Sequence, residues 1–200
     1  MREIELRLKL SPEDKTLIKT WLEKNAKFIK HIEHKEFYLD NPKSTFFFTA
    51  KDGYKDAKDY MRVRMTEKGD SVCIKRFEID METGKSKNID EIEYNVSSGD
   101  EALKLFDAIG FTDKSDVSKS RDAYEYENFE IVLDKVNSLG DFAEIEIKGF
   151  PEEKDIHEGY EEIRKVIKKI GFTKYMQCNR GYVSMLWNPD HDFTIEKTLN

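Results

Sequence analysis

The chain has 200 residues, of which 38% are charged and 12% aromatic, and its formal net charge is −7. The aromatic content argues against a disordered chain, and the acidic balance argues against a binder of duplex nucleic acid. Two cysteines, Cys73 and Cys178, are too few for a zinc site of their own or for a disulfide framework. Because the sequence shows neither a signal peptide nor an apolar run of about 18 residues, we expect a cytoplasmic protein without a membrane partner.

The chain opens on a strand with two chemically different faces. Charged and apolar residues alternate in the order Glu3, Ile4, Glu5, Leu6, Arg7, Leu8, Lys9 and Leu10. Alternation of this kind predicts a half-buried β-strand. A single strand of this type usually turns its charged face to water, so the other strands decide whether the charge has a function.

Three helices are predicted. The first covers residues 11–25, with Ser11 as its N-cap and Pro12 in its first turn. The side chains expected to form its buried stripe are Leu17, Ile18, Trp21 and Leu22. The other two helices cover residues 97–111 and 157–171, and both end in the sequence Ile-Gly-Phe-Thr, whose glycine suits a helix C-terminus.

The remaining predicted elements are strands. They comprise residues 28–42, a hairpin at 60–79 that turns at Lys68, Gly69 and Asp70, and residues 88–96, 116–126, 128–136, 142–150 and 178–186. A loop rich in lysine and aspartate, residues 51–59, precedes the hairpin.

Charged residues of the same sign recur one pleat apart along these strands. The pairs are Glu3/Glu5, Arg62/Arg64, Glu91/Glu93, Lys119/Arg121 and Glu144/Glu146. Like charges at this spacing repel, and buried charges need a partner or an ion. Two arrangements fit the residues: a barrel of about eight antiparallel strands that holds a charged ligand, and an open sheet with a solvated polar face. Paired carboxylates suit Mg²⁺ or Mn²⁺, and arginine with lysine suits a polyphosphate.

The ordered motifs resemble those of the CYTH, or triphosphate tunnel metalloenzyme, superfamily. The matching segments are Glu3-Ile4-Glu5-Leu6-Arg7, Tyr38-Leu39-Asp40-Asn41-Pro42, Arg62-Val63-Arg64, Lys75, Glu91-Ile92-Glu93, Lys119-Ser120-Arg121, Asp134, Leu139-Gly140 and Glu144-Ile145-Glu146. The superfamily includes class IV adenylyl cyclases, thiamine triphosphatases and inorganic triphosphatases. The chain departs from its pattern in having Arg7 where the family has lysine, and in a longer segment between Pro42 and Tyr60.

The resemblance implies an α+β fold, in which an eight-stranded antiparallel β-barrel with flanking helices forms a triphosphate tunnel. A single domain is expected over residues 1–187, followed by a polar tail at 188–200. The implied ligands are a small-molecule triphosphate, such as ATP or tripolyphosphate, and Mg²⁺ or Mn²⁺. A monomer or a homodimer is expected.

The resemblance also assigns the charged residues to two roles. The expected metal ligands are Glu3, Glu5, Glu91, Glu93, Asp134, Glu144 and Glu146. The residues expected to bind the triphosphate are Arg7, Lys9, Arg62, Arg64, Lys75, Lys119 and Arg121. Arg7 and Lys9 are the catalytic candidates. Arginine stays protonated, so we expect Arg7 to act only electrostatically and Lys9 to supply what the missing lysine would have done.

Two reactions fit this resemblance. Hydrolysis of tripolyphosphate, or of a nucleoside or other organic triphosphate, is our first expectation. The alternative is a class IV adenylyl cyclase that converts ATP to cyclic AMP and pyrophosphate. A cyclase must also hold a purine and a ribose, and the sequence identifies no pocket for them. A non-catalytic β-domain that binds an anion is the further alternative.

Overall fold

A computed structural model of the chain describes residues 2–50, 52–79, 86–151 and 153–199. The helices are α1 (Pro12–Asn25), α2 (Gly99–Ala108), α3 (Ile156–Ile170) and α4 (Tyr182–Trp187). The strands are β1 (Arg2–Leu10), β2 (Lys27–Asp40), β3 (Phe47–Thr49), β4 (Lys55–Ala57), β5 (Asp59–Thr66), β6 (Gly69–Ile79), β7 (Ser86–Val96), β8 (Asp113–Asp116), β9 (Lys119–Tyr126), β10 (Phe129–Val136), β11 (Gly140–Phe150), β12 (Lys174–Cys178) and β13 (Thr194–Thr198). No helix within the described ranges is long and apolar enough to cross a membrane.

The predicted α+β class is confirmed. Every strand pair whose register is described is antiparallel. Within the described part of the chain, eight strands have eight or more residues: β1, β2, β5, β6, β7, β9, β10 and β11. The charged pairs on which the sequence analysis depended all lie on these long strands.

The chain divides into two compact units, which are described separately. Unit 1 contains residues 1–32, 120–180 and 193–200, and unit 2 contains residues 33–119 and 181–192. The strand order in unit 1 is β13-β12-β1-β11-β10-β9-β2. In unit 2 the strand order is β2-β5-β6-β7, β8 also pairs with β2, and β3 pairs with β4. The predicted tail at 188–200 includes β13.

Unit 1 packs α1 and α3 on one apolar face of its sheet. Its core is formed by Ile4, Leu6 and Leu8 of β1, Ile131 of β10, Ala143 and Ile145 of β11, Ile18 and Leu22 of α1, and Ile163, Val166, Ile167 and Ile170 of α3. A side chain at Gly159 of α3 would come within 2.5 Å of Ile4 Cδ1, so glycine permits this close packing. All apolar residues of β1 therefore serve the core, which leaves its charged residues on the other face.

The predicted helix ends agree with the structure. Ser11 caps α1 and forms a capping box with Asp14, in which each side chain accepts a hydrogen bond from the other residue's backbone N–H. Gly171 ends α3 in the left-handed conformation, with φ of 111°. One member of the predicted α1 stripe differs, because Leu17 is 39% exposed.

Two strand predictions were wrong. Residues 178–186 were expected to form the last strand, but β12 already ends at Cys178, Tyr182–Trp187 form the short helix α4, and the last strand is β13. The predicted hairpin turn at residues 68–70 lies at 67–68, because Gly69 and Asp70 already pair with Thr66 and Met65. A short stretch of alternating apolar residues suits a strand and a helical turn equally, so packing decides between them.

Candidate functional site

The charged face of unit 1 is organised by the register of β1, β10 and β11. Arg7 pairs with Glu144 across β1 and β11, and Glu5 pairs with Glu146 one pleat further along. On the other side of β11, Glu146 lies opposite Glu130 of β10. Three carboxylates therefore occupy one row across three neighbouring strands, and an arginine–glutamate pair occupies the next row.

Two arginines and two carboxylates form a continuous ion-pair network on this face. Arg7 Nε donates to Glu144 Oε1 at 2.6 Å. Arg121 Nη2 donates to Glu144 Oε2 at 2.6 Å, and its Nε donates to Asp134 Oδ1 at 2.7 Å. Asp134 is 2% exposed and Glu144 is 8% exposed. The network therefore balances two buried negative charges with two positive ones, which is the condition for burying them at all.

Arg7 is held on three sides. Besides Glu144, its Nη1 donates to the backbone carbonyl of Arg180 at 3.2 Å, and its Nη2 lies 3.4 Å from Glu5 Oε1. This use of several guanidinium N–H groups in different directions requires arginine, because a lysine ammonium is a single point charge. Lys9, the other catalytic candidate, is exposed. The predicted electrostatic role of Arg7 agrees with this geometry and stays a prediction.

The Arg7→Lys variant tests whether the guanidinium is used as such. If the protein turns over a triphosphate, as the resemblance implies, we expect the rate to fall by about tenfold, because lysine cannot contact Glu144, Glu5 and the carbonyl of Arg180 together. Steady-state kinetics of both proteins under the same metal concentration measures this. An increase in turnover would instead mean that the family lysine has a role that Arg7 does not fulfil.

The row of Glu5, Glu146 and Glu130 fits a hard divalent cation in its donor chemistry. Carboxylates directly opposite each other destabilise a sheet unless a cation offsets them, and Mg²⁺ and Mn²⁺ prefer carboxylate oxygens. Lys148 offsets part of this charge, since its Nζ lies 2.9 Å from Glu130 Oε2. Among the described residues no three histidine, cysteine, aspartate or glutamate side chains converge as a metal cluster. Mg²⁺ needs few direct carboxylates and keeps several waters, so a pair such as Glu5 and Glu146 is sufficient.

Unit 2 concentrates positive charge around one buried carboxylate. Glu36 is 1% exposed and lies opposite Arg64 in the register of β2 and β5. Its Oε1 accepts a hydrogen bond from Arg64 Nε at 2.7 Å and lies 3.8 Å from Lys119 Nζ and 3.5 Å from His34 Nδ1. Burial by itself would raise the pKa of Glu36, but His34, Lys119, Arg64 and Arg62 together hold it well below its ordinary value. Glu36 is therefore ionised at neutral pH.

Arg62 occupies the next row, opposite Tyr38 of β2 and Cys73 of β6. It is 8% exposed, and its Nη2 lies 3.6 Å from Glu93 Oε1. Burial raises the pKa of the Tyr38 hydroxyl, and the neighbouring charge of Glu36 raises it further, so Tyr38 stays neutral beside the arginine.

A further cross-strand ion pair in unit 2 is formed by Lys75 of β6 and Glu91 of β7. Lys75 Nζ lies 2.8 Å from Glu91 Oε2, and both side chains are about one-third exposed. Burial alone would raise the pKa of Glu91, but the hydrogen bond from Lys75 lowers it below its ordinary value. Burial raises the pKa of the Cys73 thiol, which keeps Cys73 protonated and unsuited to act as a nucleophile.

The structure distributes the predicted site residues over both units. Unit 1 holds Glu5, Arg7, Lys9, Arg121, Asp134, Glu144 and Glu146, and unit 2 holds Arg62, Arg64, Lys75, Glu91, Glu93 and Lys119. The side chain of Glu3 lies outside the described part of the structure. Neither unit is purely acidic or purely basic, because Arg7 and Arg121 pair with carboxylates and Glu91 and Glu93 pair with cations. The assignment to metal and phosphate roles stays a prediction.

The candidate site residues identified from the sequence do not include two carboxylates of these clusters, those of Glu36 and Glu130. Glu36 lies in a strand whose polar face also carries His34 and Tyr38, so no like-charged pair marked it. Glu130 alternates with Val132 and Asp134 on β10 and has no charged neighbour one pleat away, so no like-charged pair marked it either. The available signal for both was strand alternation, which identifies a face and does not rank its members.

Comparison with known proteins gives a consistent result. The family model of the CYTH domain matches residues 1–182. A protein of Methanocaldococcus jannaschii, named as a candidate adenylate cyclase, is 25% identical over 183 residues, which are 91% of this chain and 98% of that protein. A solved Pyrococcus horikoshii protein has a TM-score of 0.65 at 25% identity, over 94% of this chain and 99% of its own.

A Hippeastrum structure matches at a lower identity. Its TM-score is 0.61 at 16% identity, and the match covers 92% of this chain and 93% of that one. The protein is described as a candidate adenylyl cyclase with a dominant triphosphatase activity. At this identity the likeness concerns the fold.

Proposed function

The chain is a member of the CYTH domain family, since the family model spans residues 1–182, and from this membership we propose that it is a metal-dependent enzyme that binds and hydrolyses a triphosphate. The observation that carries the proposal is the buried positive charge of unit 2. Arg64 and Lys119 lie 2.7 and 3.8 Å from Glu36, and the buried Arg62 in the next row lies 3.6 Å from Glu93, so three positive charges face two carboxylates. A triphosphate supplies several negative charges and many acceptor oxygens, which suits such a cluster.

The proposed roles follow from the chemistry of each cluster. Arg62, Arg64, Lys75 and Lys119 donate to phosphate oxygens, and Arg7 and Arg121 hold the carboxylates of Glu144 and Asp134 in place through their hydrogen bonds. Glu5 and Glu146 would hold Mg²⁺ or Mn²⁺, which when bound offsets charge on the phosphate oxygens. Hydrolysis requires little more from the protein than positioning and electrostatic stabilisation.

Hydrolysis is preferred to cyclisation for a reason found in unit 2. A cyclase must bind a purine and a ribose so that the 3′-hydroxyl reaches the α-phosphorus. Two aromatic rings of the segment before β5 are engaged with other side chains. Phe46 lies against Phe111, with ring centroids 5.9 Å apart, and Phe47 packs edge-on against Trp187 at 4.5 Å. The Hippeastrum protein also shows that a cyclase name in this fold is compatible with a dominant triphosphatase activity.

Product analysis tests the proposed reaction. The protein is incubated with tripolyphosphate and separately with ATP, first with Mg²⁺ and then with Mn²⁺, and the products are followed by phosphorus NMR. We expect orthophosphate from tripolyphosphate and no cyclic nucleotide from ATP. Cyclic AMP with pyrophosphate would identify a cyclase, and binding without turnover would identify a non-catalytic anion-binding domain.

The Arg64→Ala variant tests the phosphate-binding role of unit 2. Arg64 is 28% exposed at its side chain and is oriented by Glu36, so its contact with phosphate is partly desolvated. We expect tripolyphosphate to bind about 10- to 100-fold more weakly, which is the usual effect of losing a charge-assisted hydrogen bond. Calorimetric titration measures this effect.

Arg76→Ala is the matched control for this titration. Cys73 and Lys75 lie on one face of β6. Arg76 directly follows Lys75 in the strand, so its side chain lies on the opposite face, where it is exposed. Its removal is expected to change affinity by less than about twofold. Equal losses in both variants would mean that only the net charge of the protein matters.

A further inference from the structure

Among the described residues of unit 2, Glu36 is the most deeply buried charged side chain, at 1% exposure, and the roles assigned above do not include it. Its carboxylate lies on the same face of β2 as Tyr38 and makes its contacts through one oxygen, Oε1. The partners come from three different segments: Arg64 of β5 directly across the pair, Lys119 at the start of β9, and His34 two residues earlier on β2. One anion thus connects cations that are 28 and 83 residues away in sequence.

A negative charge in this position can affect phosphate binding in two opposite ways. If it acts only as a counterion, it competes with phosphate for Arg64 and Lys119, and its removal should strengthen binding. If it acts by orientation, it holds flexible side chains in one geometry, and its removal should weaken binding. An ordered arginine avoids the entropy cost of being immobilised when the ligand binds.

We propose that Glu36 is a positioning residue, which fixes the guanidinium of Arg64 and the ammonium of Lys119 in the orientation in which they bind phosphate oxygens. This inference rests on the proposed function, because it concerns how the same cations meet a triphosphate. Three features support orientation over competition. Glu36 is 1% exposed, so a ligand cannot displace it into water. It contacts Arg64 through Nε at 2.7 Å, and this contact leaves both terminal nitrogens of the guanidinium available for a second partner. Its charge also lets Arg64 and Lys119 lie close to one oxygen without unshielded repulsion.

The Glu36→Gln variant separates the two roles by the sign of its effect. Glutamine keeps the length of the side chain and removes the charge, so electrostatics alone predicts tighter binding of tripolyphosphate. Loss of orientation predicts weaker binding, and we expect a loss of about tenfold or more. Glu67→Gln removes the same charge at an exposed position in the turn between β5 and β6, and we expect its affinity to stay within about twofold of the wild type. Calorimetric titration with tripolyphosphate measures all three proteins.

A double-mutant cycle distinguishes positioning from a general loss of structure. If Glu36 acts through Arg64, Glu36→Gln should weaken binding much less in an Arg64→Ala background than in the wild type. A structural defect would weaken binding by the same factor in both backgrounds. Glu36→Asp gives a second route if the glutamine variant does not fold, because it keeps the charge and withdraws the carboxylate from Arg64 by one methylene. It too should weaken binding by several-fold.

The outcomes separate this inference from the function on which it rests. Weaker binding in Glu36→Gln and Glu36→Asp, with loss of the effect in the Arg64→Ala background, supports positioning. Equal or tighter binding in Glu36→Gln, or an unchanged effect in that background, overturns it while leaving the proposed function intact. A wild-type protein that does not bind tripolyphosphate overturns the proposed function and the inference together.

Discussion

Replacing Glu146 by glutamine is expected to reduce Mg²⁺-dependent hydrolysis of tripolyphosphate by about a thousandfold. Glu146 lies between Glu5 and Glu130 in one row across β1, β11 and β10, so three carboxylates are neighbours there. In its proposed role Glu146 is a ligand of the cation, so losing its charge would weaken a stabilisation of phosphate charge that is worth several kcal/mol. Removal of the metal by a chelator should have a similar effect on the wild type.

Glu153→Gln is the control for this variant. It removes one negative charge from an exposed loop of the same unit, and we expect full activity. The comparison uses initial rates at saturating substrate over a Mg²⁺ titration, so that weakened metal binding appears as a shift in the metal requirement. Full turnover in Glu146→Gln, or in the chelated wild type, would contradict the metal role.

Replacing Asp134 by asparagine is expected to destabilise the protein by about 3–5 kcal/mol. The Asp134 side chain is fully buried and accepts two hydrogen bonds from Arg121, at 2.7 and 2.5 Å. Asparagine would present N–H groups to a guanidinium that can only donate, and it would leave Arg121 with fewer negative partners. Breaking a buried ion pair by removing one member leaves an uncompensated charge, which is the costly case.

Asp141→Asn provides the matched comparison, since Asp141 pairs with Lys15 at 2.6 Å but both side chains are partly exposed. A surface pair of this kind contributes about 1 kcal/mol or less. Urea unfolding in the presence of a chelator compares both variants with the wild type and excludes a contribution from bound metal. Similar small changes in the two variants would mean that the Arg7–Glu144–Arg121–Asp134 network is not a source of stability.

Much of the architecture was accessible from the residues alone. The N-cap at Ser11, the glycine that ends α3 and the alternation of β1 are set by neighbours within four positions, and the structure agrees with each of them. The failures were also local. The last predicted strand became α4, because a short apolar segment takes the conformation in which it packs best.

The charged faces were likewise visible in sequence, since a side chain's face is determined by strand alternation, which repeats every two residues. The ion-pair partners of those charged residues, by contrast, could not be predicted from the sequence. Arg7 contacts Glu144 at a separation of 137 residues, and Glu36 meets Lys119 at a separation of 83. Alternation places a charge on a face, but the register between strands distant in sequence decides which opposite charge it meets. That register depends on the packing of the whole sheet, so the mixed acidic and basic character of each unit, and the part played by Glu36, emerged only once the chain was folded.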